Sequence, residues 1–136
     1  MNKNSYINLA KKTAKIQIEE LKKIKSVFNK SFVRAVDLIL NCKGKIIFAG
    51  IGKSGLIARK ISATFSSVGI PSFFCDPAQA LHGDMGQIEK RDILIIFSYS
   101  GNTSELTNML KYANRFGIKI IGVASKNDSL LLKASD

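Results

Sequence analysis

The stretch that decides the fold runs Asp92-Ile93-Leu94-Ile95-Ile96-Phe97 and then Ser98-Tyr99-Ser100-Gly101-Asn102-Thr103-Ser104-Glu105. An unbroken apolar run with no polar alternation is what a strand needs when both its faces are covered, as in a parallel sheet. Past the hydroxyl-rich loop, Leu106, Met109, Leu110 and Ala113 recur at three- and four-residue steps, the spacing of one helix face. The loop therefore lies where a strand gives way to a helix. The leading N–H groups of a helix lack intrahelical acceptors and the macrodipole adds partial positive charge, so such a junction binds anions. Four Ser and Thr in seven residues, with Gly101 at the tightest point, are more hydroxyls than one cap uses. The plainer reading is a turn in which Ser104 or Thr103 caps the helix and Glu105 sits in its first turn.

Working outward, Lys45-Ile46-Ile47-Phe48-Ala49-Gly50 is a second covered strand, and Gly50-Ile51-Gly52-Lys53-Ser54-Gly55 opens a helix that carries Ile57, Ile61, Thr64, Phe65 and Val68 inward and stops at Gly69. Further strands are predicted at 72–75 and 119–123, a short helix at 77–82 closed by the turn 83–86, a helix over 105–116, and a final turn or helix from Asn127. Strands alternate with helices throughout, which predicts an α/β fold, a three-layer α/β/α sandwich around a parallel sheet. Open sheets of this kind bind ligands beyond the carboxyl ends of their strands, where the winding order reverses. Loops 50–55 and 98–105 both leave such ends, so one crevice is expected between them.

Before the first strand, Ile7, Ala10, Ala14, Ile18, Leu21, Ile24 and Phe28 mark an amphipathic helix over 5–28. Phe32, Val33, Val36, Leu38, Ile39 and Leu40 mark a second, stopping near Gly44. These stripes are expected to pack on the sheet or on a second subunit.

Composition narrows the function classes. Hydrophobic residues at 46% and charged ones at 23% exclude disordered and fibrous chains. The formal charge of +11 is concentrated in residues 1–45, with eleven Lys and Arg against three acids. No groove-reading motif accompanies that charge, so it reads as a solvated helix face and no nucleic-acid partner is expected. Cys42 and Cys75 form no metal-ligand or disulfide pattern and are expected as buried free thiols in a cytoplasmic protein. The amino-terminal residues lack the apolar core of a secretory signal, and no run is long enough to span a bilayer, so no membrane is expected.

Gly50-x-Gly52-x-x-Gly55 matches the dinucleotide fingerprint, with Asp76 placed as the ribose acid. Two helices precede the fingerprint strand, however, and the serine loop would have no role in dinucleotide binding. A P-loop is not satisfied either. The spacing therefore favours a phosphorylated small molecule, with no cofactor and no metal.

The segments Gly-Ile-Gly-Lys-Ser-Gly (50–55), Pro-Ala-Gln-Ala-Leu-His-Gly-Asp-Met-Gly (77–86) and Ser-Tyr-Ser-Gly-Asn-Thr-Ser-Glu (98–105), in this order and spacing, resemble the sugar isomerase (SIS) domain. Within that family the chain is most similar to the D-arabinose 5-phosphate isomerases, along essentially its whole length. The resemblance implies a flavodoxin-like or Rossmann-like winding and the interconversion of D-arabinose 5-phosphate and D-ribulose 5-phosphate. That reaction feeds synthesis of the lipopolysaccharide or capsule sugar 3-deoxy-D-manno-octulosonate, and the enzymes work as oligomers. It assigns the sugar's phosphate to Ser98, Ser100 and Thr103 with Ser54 completing the cradle, loop support to Gly50, Gly52, Gly55 and Gly101, and active-site roles to Lys53, Glu105 and His82. Lys53 suits charge stabilisation, while Glu105 or His82 suits proton transfer. Apart from the resemblance, His82 reads as a structural hydrogen-bonder and Glu105 as an acid complementing a helix dipole. Tyr99 and Asn102 depart from the residues usual at those positions.

Relatives continue through another strand, a further active-site glutamate and a second histidine, and many add CBS modules. Residues 45–136 are therefore expected to be a SIS domain incomplete at its carboxyl end, preceded by helices in 1–44, and weakly active or inactive alone. The other reading is a non-catalytic sugar-phosphate sensor. A sensor of that kind usually brings a helix-turn-helix, and 1–44 has no compact three-helix pattern.

Overall fold

Among the described residues four strands, β1 (Ile46–Gly50), β2 (Ser72–Cys75), β3 (Ile93–Phe97) and β4 (Lys119–Val123), form one parallel sheet in the order β2-β1-β3-β4. The winding reverses between β1 and β3. The computed structural model describes residues 3–136, which divide into two units at the boundary between Asp37 and Leu38. The helices are α1 (Lys3–Lys23), α2 (Lys30–Leu40), α3 (Lys53–Ser67), α4 (Pro77–Ala80), α5 (Leu106–Phe116) and α6 (Leu130–Lys133).

Because side chains alternate along a strand, the apolar runs supply both faces of the sheet. Ile47, Ala49, Leu94, Ile96 and Ile120 pack with Leu106, Met109, Leu110 and Ala113 of α5 and with Leu131 of α6. On the opposite face Ile46, Phe48, Ile93 and Ile95 meet Ala58, Ile61 and Phe65 of α3, together with Leu38, Ile39 and Cys42. The three-layer α/β/α sandwich expected from the sequence is the observed architecture.

Register sets the position of the loops. Gly50 pairs with Phe97, and Phe97 with Val123, so β1, β3 and β4 end level and their loops start side by side. A Cβ on Gly55 would come within 2.6 Å of the Gly50 carbonyl oxygen, so the first turn of α3 lies directly on the tip of β1. Helix α5 stops where Gly117 adopts φ 65°, a left-handed conformation that glycine enters without steric cost.

Some boundaries differ from expectation. The first helix ends at Lys23 and tightens into a 3-10 turn over Ile24–Val27. The second ends at Leu40, short of Gly44, whose own position is dictated by Asp92: a Cβ there would collide with the Asp92 carboxylate. The last helix is a single turn, with the Ser129 hydroxyl accepting from Leu132 N at 3.4 Å. Cys75 is buried, but Cys42 is only half-buried.

In the amino-terminal unit, ion pairs Glu19–Lys22 and Glu20–Lys23 brace the polar side of α1, and Phe28 meets Phe32 edge-on at 5.0 Å. The residues of its apolar stripe, including Ile7, Ile18, Leu21, Ile24 and Phe28, are exposed. No described helix is long and apolar enough to cross a membrane.

Candidate functional site

A cleft of about 360 Å³ opens at the tips of β1 and β3, and both glycine-bearing loops line it. Ile51, Lys53 and Ser54 come from the first loop and the start of α3. Phe97, Ser98, Tyr99, Ser100, Thr103 and Leu106 come from β3, the serine loop and the start of α5. The shared crevice predicted for the winding reversal is present.

The first turn of α3 begins at Gly52 (φ 59°, ψ −127°) with no side chain capping it. The leading N–H groups of a fifteen-residue helix are thus left for an external acceptor. Lys53 adds a cation at this same helix end. It has no carboxylate partner among the described residues, and no acid lines the cleft.

The serine loop orders its own hydroxyls. Ser98 Oγ accepts from Gly101 N at 3.1 Å and lies 3.0 Å from Thr103 Oγ1, while Ser100 Oγ accepts from Asn102 N at 3.2 Å. A hydroxyl has one proton to give and two lone pairs to receive with. Ser100 therefore keeps its proton for a ligand. Of the two protons in the Ser98–Thr103 pair, one closes the pair and the other remains. A cleft of uncapped amides, unspent hydroxyl protons and an unpaired ammonium suits a dianion.

The remaining expected residues stand differently. The Ser104 hydroxyl donates to Glu105 Oε2 at 2.7 Å instead of capping α5, and Glu105 has helical φ and makes no capping bond. That Ser104 bond and Glu105's own backbone hold its carboxyl below the ordinary carboxylate range, against a small opposing effect of burial. Glu105 is exposed and does not line the cleft. Neither does His82, which is exposed in the turn after α4 with its backbone N donating to Gln79 O at 2.9 Å. Of the three residues expected in catalytic roles, the cleft of this chain contains Lys53. Gly101 takes φ 66° and abuts Ser129, so a side chain there would be strained and would collide.

Asp76 accepts from Ala78 N at 2.9 Å as the cap of α4, a role that accounts for an acid after β2 without a ribose. Burial, with Asp84 and Asp76 nearby, pushes the Cys75 thiol up to about 11, so it is a poor nucleophile. The sequence reading missed the apolar floor, Ile51, Phe97 and Leu106, and the exposed Tyr99 at the rim. Ile51, Phe97 and Tyr99 lie at or just past strand tips and Leu106 opens α5, and those positions were the signal available.

The SIS domain family profile matches residues 39–136. The chain belongs to the SIS domain family. Over 125 residues, 92% of its length, it is 40% identical to arabinose 5-phosphate isomerase GutQ of Escherichia coli K12, of which it spans 39%. The curated relatives it matches are thus much longer, and the chain spans between 39% and 43% of them. Two solved structures superpose on all of it at 34% identity. One, from Listeria monocytogenes, is named as a candidate sugar-phosphate isomerase (TM-score 0.93, 72% of that chain covered). The other, from Escherichia coli CFT073, is in complex with arabinose 5-phosphate (TM-score 0.92, 72% covered). This SIS domain is therefore related to the sugar-phosphate isomerases.

Proposed function

We propose that this SIS domain serves aldose–ketose isomerisation of a phosphosugar, D-arabinose 5-phosphate to and from D-ribulose 5-phosphate, supplying 3-deoxy-D-manno-octulosonate synthesis. The observation that carries the reading is the cleft itself: Lys53 and the hydroxyls of Ser54, Ser98, Ser100 and Thr103 converge with no acid among them. In this reading the four hydroxyls and the first turn of α3 hold the phosphate, and Gly50, Gly52, Gly55 and Gly101 let the backbone approach it.

The reaction needs no redox partner. A base takes the C2 proton of the aldose, the C–H electron pair becomes a C1–C2 double bond, and O1 takes the charge. The O2 proton passes to O1, and a proton returned to C1 leaves a C2 ketone. Lys53 is assigned to charge stabilisation, of the bound dianion and of the developing oxyanion, where a cation lowers the barrier most. Glu105 and His82 are the candidates for proton transfer. The exposed apolar stripe of α1 supports a homo-oligomer, dimer or tetramer, in which a second copy covers it.

Calorimetric titration with arabinose 5-phosphate, unphosphorylated arabinose and NAD tests the reading. Binding of the phosphosugar alone is expected, and binding of NAD in its place would overturn it. That neither Glu105 nor His82 lines the cleft favours a second reading, a sugar-phosphate-binding regulatory domain. Binding without interconversion of arabinose 5-phosphate and ribulose 5-phosphate, in this chain and in any longer natural form, would select it.

A further inference from the structure

The serine loop is held from outside by the end of β4 and the segment that follows it. Ser98 N donates to Val123 O at 3.0 Å, Ser125 N to Tyr99 O at 3.1 Å, and Leu131 N to Gly101 O at 2.9 Å. Two more bonds use side chains: Ser125 Oγ donates to Tyr99 O at 2.8 Å, and Asn102 Oδ1 accepts from Leu130 N at 2.8 Å. Asn102 is the residue at which the clasp and the cleft meet. Its side chain grips the start of α6, and its backbone N occupies the Ser100 oxygen at 3.2 Å.

We propose that Asn102 is a positioning residue for the anion cleft: by tying the loop to Leu130 it holds its own N–H on Ser100, so that the Ser100 proton points to the ligand. The proposal rests on the reading that this cleft takes a phosphate ester. Asn102 touches no ligand in this scheme; it acts through Ser100. Were the clasp only a packing device, cutting it would lower stability and leave affinity among folded molecules unchanged.

The bond can be cut from either end. Asn102→Ala removes the acceptor. Leu130→Pro removes the donor and leaves the loop sequence intact, because proline is tolerated in the first position of a helix and Ser129 before it is extended (φ −67°, ψ 154°). The two variants and their double are compared with the natural chain in calorimetric titrations with inorganic phosphate and with arabinose 5-phosphate, after thermal melts establish that each is folded at the working temperature. Each single change is expected to weaken both ligands by about fivefold, the scale of one neutral hydrogen bond, and the double by no more than either single. Unchanged affinity in both folded single variants would overturn the proposal, as would independent effects that multiply in the double. Should one variant not fold, the other alone decides, by weakened or unchanged affinity. Failure of the natural chain to bind either ligand would overturn the phosphate reading, and this proposal with it, and is distinguished by appearing before any substitution.

Discussion

The two ends of β1 and β3 solve the same electrostatic problem in opposite ways. At the amino ends Asp92, 1% exposed, accepts from Lys45 N at 2.7 Å and Glu89 N at 2.8 Å, with the Lys45 ammonium 3.7 Å away. The anion there is part of the chain, and every donor around it is used. At the carboxyl ends the donors are also collected, on Lys53, Ser54, Ser100 and the first turn of α3, but no carboxylate stands among them. Polar groups alone do not distinguish a binding site from a structural clasp. Donors left without an acceptor do.

The largest effect should come from the structural end. Asp92→Ala would leave the backbone N–H groups of Lys45 and Glu89 without their acceptor, while the Lys45 ammonium keeps Gln87 O and Glu89, and a loss of about 3 kcal/mol is expected in urea unfolding. If the ends are independent, folded Asp92→Ala protein binds arabinose 5-phosphate as the natural chain does. At the other end Lys53→Ala should weaken arabinose 5-phosphate by about 2 kcal/mol in titration calorimetry, and Ser100→Ala by about 1–2 kcal/mol. Equal affinities in both would erase the contrast. Lys53→Ala carries a second expectation of opposite sign: a lysine at a helix start opposes the dipole, so the unliganded variant should unfold about 0.3–1 kcal/mol later than the natural chain.

The smallest effect concerns Asp136. Burial would raise its carboxyl, but the hydrogen bond and charge of Lys119 and the N–H of Ile120 outweigh this and hold it below its ordinary value. A carboxyl depressed on folding contributes stability above its unfolded pKa and loses it as pH falls through the folded one. The difference between the natural chain and Asp136→Asn in chemical unfolding should therefore be present at pH 6 and shrink below about pH 4.

The sheet was legible because covered parallel strands leave an unmistakable trace: Ile93–Ile96 and Ile46–Ala49 are apolar without alternation because both their faces are buried. The cleft was legible for a related reason, since the loops of Lys53 and Ser100 follow neighbouring strands at the winding reversal. The cap of α5 was not, because Ser104 satisfies Glu105 as readily as it would a helix amide. Nor could spacing reveal that Asn102 reaches Leu130, a bond between residues twenty-eight positions apart that follow the paired strands β3 and β4. Local chemistry is readable in a chain; partners brought together by the fold are not.

The first turn of α3, uncapped and carrying Lys53, has one further consequence. A fold that leaves such a charge uncompensated makes its melting temperature a function of the medium, since any dianion that occupies the cleft adds RT ln(1 + [L]/Kd) to the free energy of unfolding. Phosphate or sulfate buffers should raise the midpoint where a buffer of monovalent chloride does not, and an assay run in them would measure displacement of the buffer ion along with binding of the sugar.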